Sequence, residues 1–213
     1  MDSKQELIHP ELADVHVVED SEDLTRSEVI LKGALAAGAV YGMTMVGPYV
    51  RAAFAKSGGS DVEIVNFALT LEYLEAAFYE EAKKRARPSG DLKALVNLIA
   101  SDERQHVEAL KATVKKLGGK PAMEPEFDFP YSGTGGFLEL AQTLEDTGVS
   151  AYNGAAPSIK SKEVLAAAGS IVQVEARHAA AIRLQNGEEP SPEAFDPTLD
   201  EAQVLKAVEP FIA

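Results

Sequence analysis

The chain has 213 residues, 46% of them hydrophobic and 25% charged, which suits one domain with a well-buried core and is short for two. It contains no cysteine, so disulfides, thiolate metal sites and iron–sulfur clusters are excluded; any metal must be held by oxygen and imidazole, which favours iron, manganese or zinc. A net charge of −14 argues against a nucleic-acid partner and is read first as a solvating surface.

Residues 1–28 hold nine acids and two bases without periodicity and are expected to form an acidic, disordered tail. Residues 29–55 contrast with them. Gly33 to Val50 is an 18-residue run without charge, at the lower edge of what spans a bilayer. Ala53-Phe54-Ala55 follows as a small-x-small pattern suited to signal-peptidase cleavage. The stretch LTRSEVILKGALAAGA is similar to a twin-arginine export signal, but it has the single Arg26 where a pair belongs and an acidic lead-in. Three readings stay open: an export signal, an uncleaved anchor with membrane contact through residues 29–50, or an apolar helix packed on the domain or a partner. Localisation stays open with them.

Residues 56–213 are expected to form the folded domain. A first helix starts at the capping-box sequence Ser60-Asp61-Val62-Glu63 and runs to about Arg85, before Pro88-Ser89-Gly90. A second runs from about Asp91 to Leu117 and stops at Gly118-Gly119. Residues 118–136 are rich in proline, glycine and aromatics and make a long irregular linker. A third helix spans about Phe137 to Ala155, and a fourth about Ser161 to Gln185, ended by Asn186-Gly187. A short last helix is expected to start at Thr198-Leu199-Asp200-Glu201.

Connection lengths set the topology. Short turns make helices 1 and 2 antiparallel, and likewise 3 and 4. A helix of ~26 residues is ~39 Å long, and a linker of ~19 residues can extend to ~60 Å. The linker can therefore cross the whole bundle. Two hairpins joined by one long crossover is an all-α, ferritin-like four-helix arrangement.

The domain also repeats itself. Thr70-Leu71-Glu72 with Tyr79 recurs as Thr143-Leu144-Glu145 with Tyr152. Glu103-x-x-His106 recurs, at nearly the same offset, as Glu175-x-x-His178. Ile99, Glu103, His106 and Leu110 step by 4, 3 and 4 along one helical stripe, and Ile171, Glu175, His178 and Ile182 do the same. Polar groups thus interrupt an apolar seam at the same place twice. Four carboxylates in such a seam need compensation. Two divalent cations balance four negative charges, and neutral imidazoles complete their coordination. Metal ligands are therefore expected at Glu72, Glu103, His106, Glu145, Glu175 and His178.

The competing reading is a pair of exposed, salt-bridging faces. With 34 acids in 213 residues, a histidine has an acid three places back about one time in six. Two hits are a few-percent coincidence, before the repeated Thr-Leu-Glu and tyrosine are counted. Tyr79 and Tyr152 are candidate catalytic residues, either hydrogen-bonding ligand carboxylates or supplying an electron, with plain core tyrosines as the alternative. Glu75 and Glu108 break the repeat and are read as surface or outer groups. Asp102 is placed either behind an imidazole or in solvent. His9 and His16 are read as incidental.

These residues resemble the ferritin-like superfamily, in which a glutamate from each of two helices and a Glu-x-x-His from each of the others converge. The segments NFALTLEYLEAAFYEEA, SDERQHVEAL and LEDTGVSAYNGAAP are similar to the ferritin-like family that includes plant desiccation-related proteins and exported bacterial relatives. The resemblance covers about residues 60–213. It implies two metal ions, iron first and manganese second, with Glu103 and Glu175 as bridges and dioxygen or peroxide as co-reactant. It does not extend to the cage contacts of storage ferritins; a homodimer stays open. The first functional expectation is a di-iron oxidase, ferroxidase or peroxidase. The alternatives are a metal-stabilised stress or desiccation-related protein without turnover, and a manganese catalase-like activity.

Overall fold

The computed structural model describes residues 60–213. The acidic tail and apolar segment expected over 1–28 and 29–55 lie outside the described residues. No helix among the described residues is long and apolar enough to cross a membrane.

Helix α1 spans Asp61–Arg85. The Glu63 carboxylate accepts the Ser60 backbone N–H at 2.9 Å, closing the expected capping box. Acids in the first turn and Lys83, Lys84 and Arg85 in the last complement the helix dipole. Helix α2, Gly90–Lys116, returns antiparallel against it. Helix α3 spans Gly133–Ala155, and after a 3-10 turn helix α4 spans Lys162–Asn186, capped by Ser161 and ended by Gly187 at φ 75. Helix α5, Glu201–Val208, leads into a last 3-10 turn, Glu209–Phe211.

Two boundaries differ from expectation. Helix α3 begins at Gly133 rather than near Phe137, despite Gly133, Gly135 and Gly136. Tertiary contact outweighs their poor propensity: Thr134 Oγ1 donates to the Ala86 carbonyl, and Phe137 and Leu138 are buried. Helix α5 is capped by Asp200 with Gln203, not by Thr198 with Glu201; each member of the pair accepts the other's backbone N–H at 2.9 Å.

The crossover follows α1 from end to end. Asn66 holds it at the start, donating to the Lys120 carbonyl and accepting from the Ala122 N–H. Arg85 holds it at the finish, donating to the carbonyls of Phe129 and Tyr131 at 2.8 and 2.6 Å. Helix α3 therefore starts beside the end of α1. It finishes beside the start, where the Asp61 carboxylate accepts the N–H groups of Lys160 and Ser161. Helices α1 and α3 are thus antiparallel, and the two hairpins meet along α1–α3 and α2–α4.

The apolar core falls into two halves. One is aromatic: Phe78 is fully buried, stacked on Phe137 at 5.3 Å and meeting Tyr79, Phe129 and Tyr131 edge-on. Burying one such ring is worth ~1.5–3 kcal/mol. Val204, Val208, Phe211 and Ile212 close this half. Their strand-like end is clasped to the crossover by an antiparallel bridge between Phe127 and Ile212, the bond from Asp128 N–H to Phe211, and the one from Ala213 N–H to Glu126. The other half is aliphatic, built on Val65, Leu69, Leu110, Val114, Val164 and Ile171. The segment between α4 and α5 crosses α3 at Gly154, where any Cβ would collide with the Leu199 carbonyl.

Candidate metal centre

Between the two core halves, at mid-height on each long helix, the side chains of Glu72, Glu103, His106, Glu145, Glu175 and His178 converge. The four glutamates are 0% exposed, His106 8% and His178 4%. Glu72 comes from α1, Glu103 and His106 from α2, Glu145 from α3, and Glu175 and His178 from α4. The exposed-face reading of these motifs is thereby overturned. Ligand atoms of Glu72, Glu103, His106 and Glu175 lie within 4.8 Å of one another, as do those of Glu103, Glu145, Glu175 and His178. Each set has one Glu-x-x-His histidine and one lone glutamate, and Glu103 and Glu175 belong to both.

Both imidazoles turn Nδ1 inward. His106 Nδ1 lies 2.8 Å from Glu175, and 3.2 Å from both Glu72 and Glu103. His178 Nδ1 lies 2.9 Å from Glu103, 3.6 Å from Glu145 and 3.8 Å from Glu175. Several contacts are close but misaligned. Glu103 Oε1, Glu145 Oε2, both Glu175 oxygens and His178 Nδ1 are buried without a hydrogen bond. Buried polar atoms lacking aligned donors are costly unless something else satisfies them. A cation accepts lone pairs from directions that no protein N–H serves here, so the donor set fits metal ions.

The lone glutamates are held from the opposite hairpin. Tyr79 on α1 donates to Glu145 on α3 at 2.5 Å, and Tyr152 on α3 donates to Glu72 on α1 at 2.5 Å. Burial, then the neighbouring carboxylate charge, pushes both phenols well above their ordinary pKa, so both stay protonated as donors. Asp102 serves the other face of one imidazole: His178 Nε2 lies 3.3 Å from its Oδ2. That contact fixes Nδ1 toward the cluster. The place matching Asp102 in the second hairpin is Val174, so His106 has no equivalent carboxylate there.

Charges in the cluster oppose one another strongly. Burial pushes Glu72 well above the carboxylate range, reinforced by the charge on Glu175. Burial pushes Glu145 up to about 8. At Glu103 burial again pushes up, but the close contacts with both imidazoles outweigh it and bring the group down to about 2. Burial disfavours charged imidazole at His106, yet its contacts with Glu103, Glu175 and Glu72 together raise it to about 12. Burial is likewise overcome by Glu103, Glu145 and Glu175 at His178, which is also raised.

Of the two sequence readings of Glu75, at the surface or behind the ligands, the structure excludes the first. Glu75 is 3% exposed and stands behind the cluster. Burial first, then the charges of Glu175, Glu103, Glu72 and Glu145, raises its pKa well above the usual range. A signal for this is present: Glu72, Glu75 and Tyr79 step by 3 and 4 along one stripe of α1. Glu108, by contrast, is solvent-exposed and paired with Lys111 at 2.8 Å. His9 and His16 lie outside the described residues.

A family model described as a ferritin-like domain matches residues 60–188. No curated protein matches the chain.

Proposed function

Given that the chain belongs to the ferritin-like domain family, we propose that its buried cluster is a centre for two divalent metal ions, iron first and manganese second, that reduces dioxygen or peroxide. One observation carries this reading: two four-residue ligand sets, drawn from all four long helices, share Glu103 and Glu175. Glu72 and His106 complete one ion's set, and Glu145 and His178 the other's. Glu103 and Glu175, common to both sets, would bridge the two ions. Four carboxylates against two divalent ions leave a neutral site, which the low-dielectric interior requires.

A ferrous pair bound there would supply two electrons to the oxidant. The protein's own groups do the rest. Tyr79 and Tyr152 each occupy one oxygen of a lone glutamate and so fix the orientation of the other. Asp102 holds the tautomer of His178. The surrounding apolar core excludes bulk water. Tyr79 and Tyr152 are accordingly positioning residues, acting through Glu145 and Glu72.

The test has two arms. Elemental analysis of protein purified without added metal should find about two ions per chain. Iron(II)-loaded protein mixed with dioxygen or peroxide should then oxidise its iron faster than free iron(II) in the same buffer. A protein that retains no metal, or that leaves the oxidation rate unchanged, would overturn the oxidase reading. Two retained ions without oxidant consumption would instead assign the centre to folding stability. Oxygen release from peroxide by manganese-loaded protein would assign a catalase-like role.

A further inference from the structure

The internal repeat allows each place in the bundle to be compared with its counterpart, and the two core halves are not equal. Phe78 and Phe137 stack in the aromatic half. Their counterparts in the repeat are Ala151 and Ile64. Val96 on α2, fully buried in the aromatic half, is matched by Ala168 on α4. Ala151, Ile64 and Ala168 all line one cavity on the far side of the carboxylate cluster from the Phe78–Phe137 stack, with Phe67, Leu71, Leu110 and Tyr152 completing its wall. Smaller side chains at three matched places therefore open on one side what larger ones fill on the other. The cavity is written into the sequence.

Its size and chemistry narrow what it can hold. The volume is about 30 Å³. A water needs ~10–15 Å³, and a cavity that admits benzene is ~150 Å³. The space suits one or two molecules of diatomic size. Only two lining residues carry side-chain polar atoms, and both hydroxyl hydrogens are committed: Thr113 to the Ala109 carbonyl at 2.8 Å, Tyr152 to Glu72 at 2.5 Å. Walls without free donors offer a water molecule none of the two to four hydrogen bonds that hold one in place. Peroxide, which needs hydrogen bonds, is disfavoured there, whereas dioxygen is not. The inner wall is Tyr152, so an occupant sits one side chain from Glu72.

We propose that this cavity is a binding site for dioxygen, formed by the loss of the ring pair present in the other half of the bundle and placed against Tyr152 beside the carboxylate cluster. Its role in supplying the oxidant rests on the metal-centre reading above; its capacity to hold an apolar gas does not.

The experiment uses xenon as the probe for the cavity and iron oxidation for its role. A crystal of the full chain under xenon pressure should show xenon between Ala151, Ala168 and Tyr152. Ala168→Val and Ala151→Val, each moving toward the residue of the filled half, should lose that xenon while keeping the metal content of the parent. In both variants iron oxidation by dioxygen should slow by about tenfold, a barrier change of ~1.4 kcal/mol, and oxidation by peroxide should change by less than about twofold. Absence of xenon in the parent chain overturns the proposal. So does xenon binding with dioxygen and peroxide rates that fall together, or with neither rate changing in a folded, xenon-free variant. Xenon bound by a protein that retains no iron supports the gas site and removes only the metal reading.

Discussion

The carboxyl group of Glu75 fills the space that a side chain at residue 148 would need: a Cβ on Gly148 would lie 2.8 Å from Glu75 Oε1. These two places correspond in the repeat, one on α1 and one on α3. The asymmetry is therefore complementary. One hairpin supplies an extra buried carboxyl, and the other omits the side chain that would exclude it.

Gly148→Ala should destabilise the fold by ~1–3 kcal/mol, the usual cost of forcing extra atoms into a packed interior. The decisive measurement is a double-mutant cycle by thermal or chemical denaturation. If Glu75 is what the new methyl meets, Glu75→Ala should recover most of the loss, giving a coupling of at least ~1 kcal/mol. Additive effects would show that Gly148 is needed for some other reason.

Tyr152→Phe removes the donor to Glu72 and leaves a buried carboxylate oxygen unpartnered. The loss should be ~1–3 kcal/mol of stability and ~10–100-fold in affinity for metal, the usual effect of deleting a group that orients a ligand. Tyr79→Phe should act the same way through Glu145. Competition against a chelator of known affinity measures the second quantity. Unchanged metal affinity in both variants would reduce the two tyrosines to core packing.

Much of the cluster is legible in the sequence, because Glu-x-x-His and the Glu–Tyr pairs each occur twice at nearly one offset. What the repeat does not show is which tyrosine meets which glutamate. Spacing places Tyr79 on the stripe of Glu72, yet its hydroxyl reaches Glu145, since α1 and α3 are antiparallel neighbours whose mid-helix residues face each other. The repeat discounts Glu75 because its counterpart is a glycine, and that glycine is what makes room for it. The crossover's length is legible, but its path depends on Asn66 and Arg85, polar residues whose partners are backbone carbonyls far along the chain. The early start of α3 is hidden by three glycines whose weak propensity the contact of Thr134 overrides.

The cluster's charges fix the sign of its pH dependence. Glu145 stands at about 8 against an ordinary 4.5, so its contribution is full below 4.5 and is lost as pH rises toward 8. His106, raised from 6.5 to about 12, has the same sign: full below 6.5, lost as pH climbs through 12. Glu103, lowered from 4.5 to about 2, is opposite: present above 4.5, lost as pH falls through 2. Chelator-treated protein should therefore melt highest at mildly acidic pH and lose stability toward alkaline pH. Metal requires deprotonated ligands, so the gain in Tm from added metal should grow with pH. Melting curves with and without chelator across that range check both statements, and parallel pH dependences would contradict them.

Ligand sharing makes a prediction about stoichiometry that no single-ion site would satisfy. Glu72 belongs to one four-residue set and Glu145 to the other, whereas Glu103 and Glu175 belong to both. Glu72→Gln or Glu145→Gln should leave one set intact, and the protein should retain about one ion per chain. Glu103→Gln or Glu175→Gln removes a charge from both sets at once. Neither ion then has its counter-charge, and both should be lost or weakened by at least ~10-fold. Elemental analysis after gel filtration reads the count, and circular dichroism confirms that each variant is folded. If all four variants lose metal equally, the two sets act as one indivisible site. If Glu103→Gln and Glu175→Gln keep two ions, neither residue bridges, and the division of ligands between two cations is wrong.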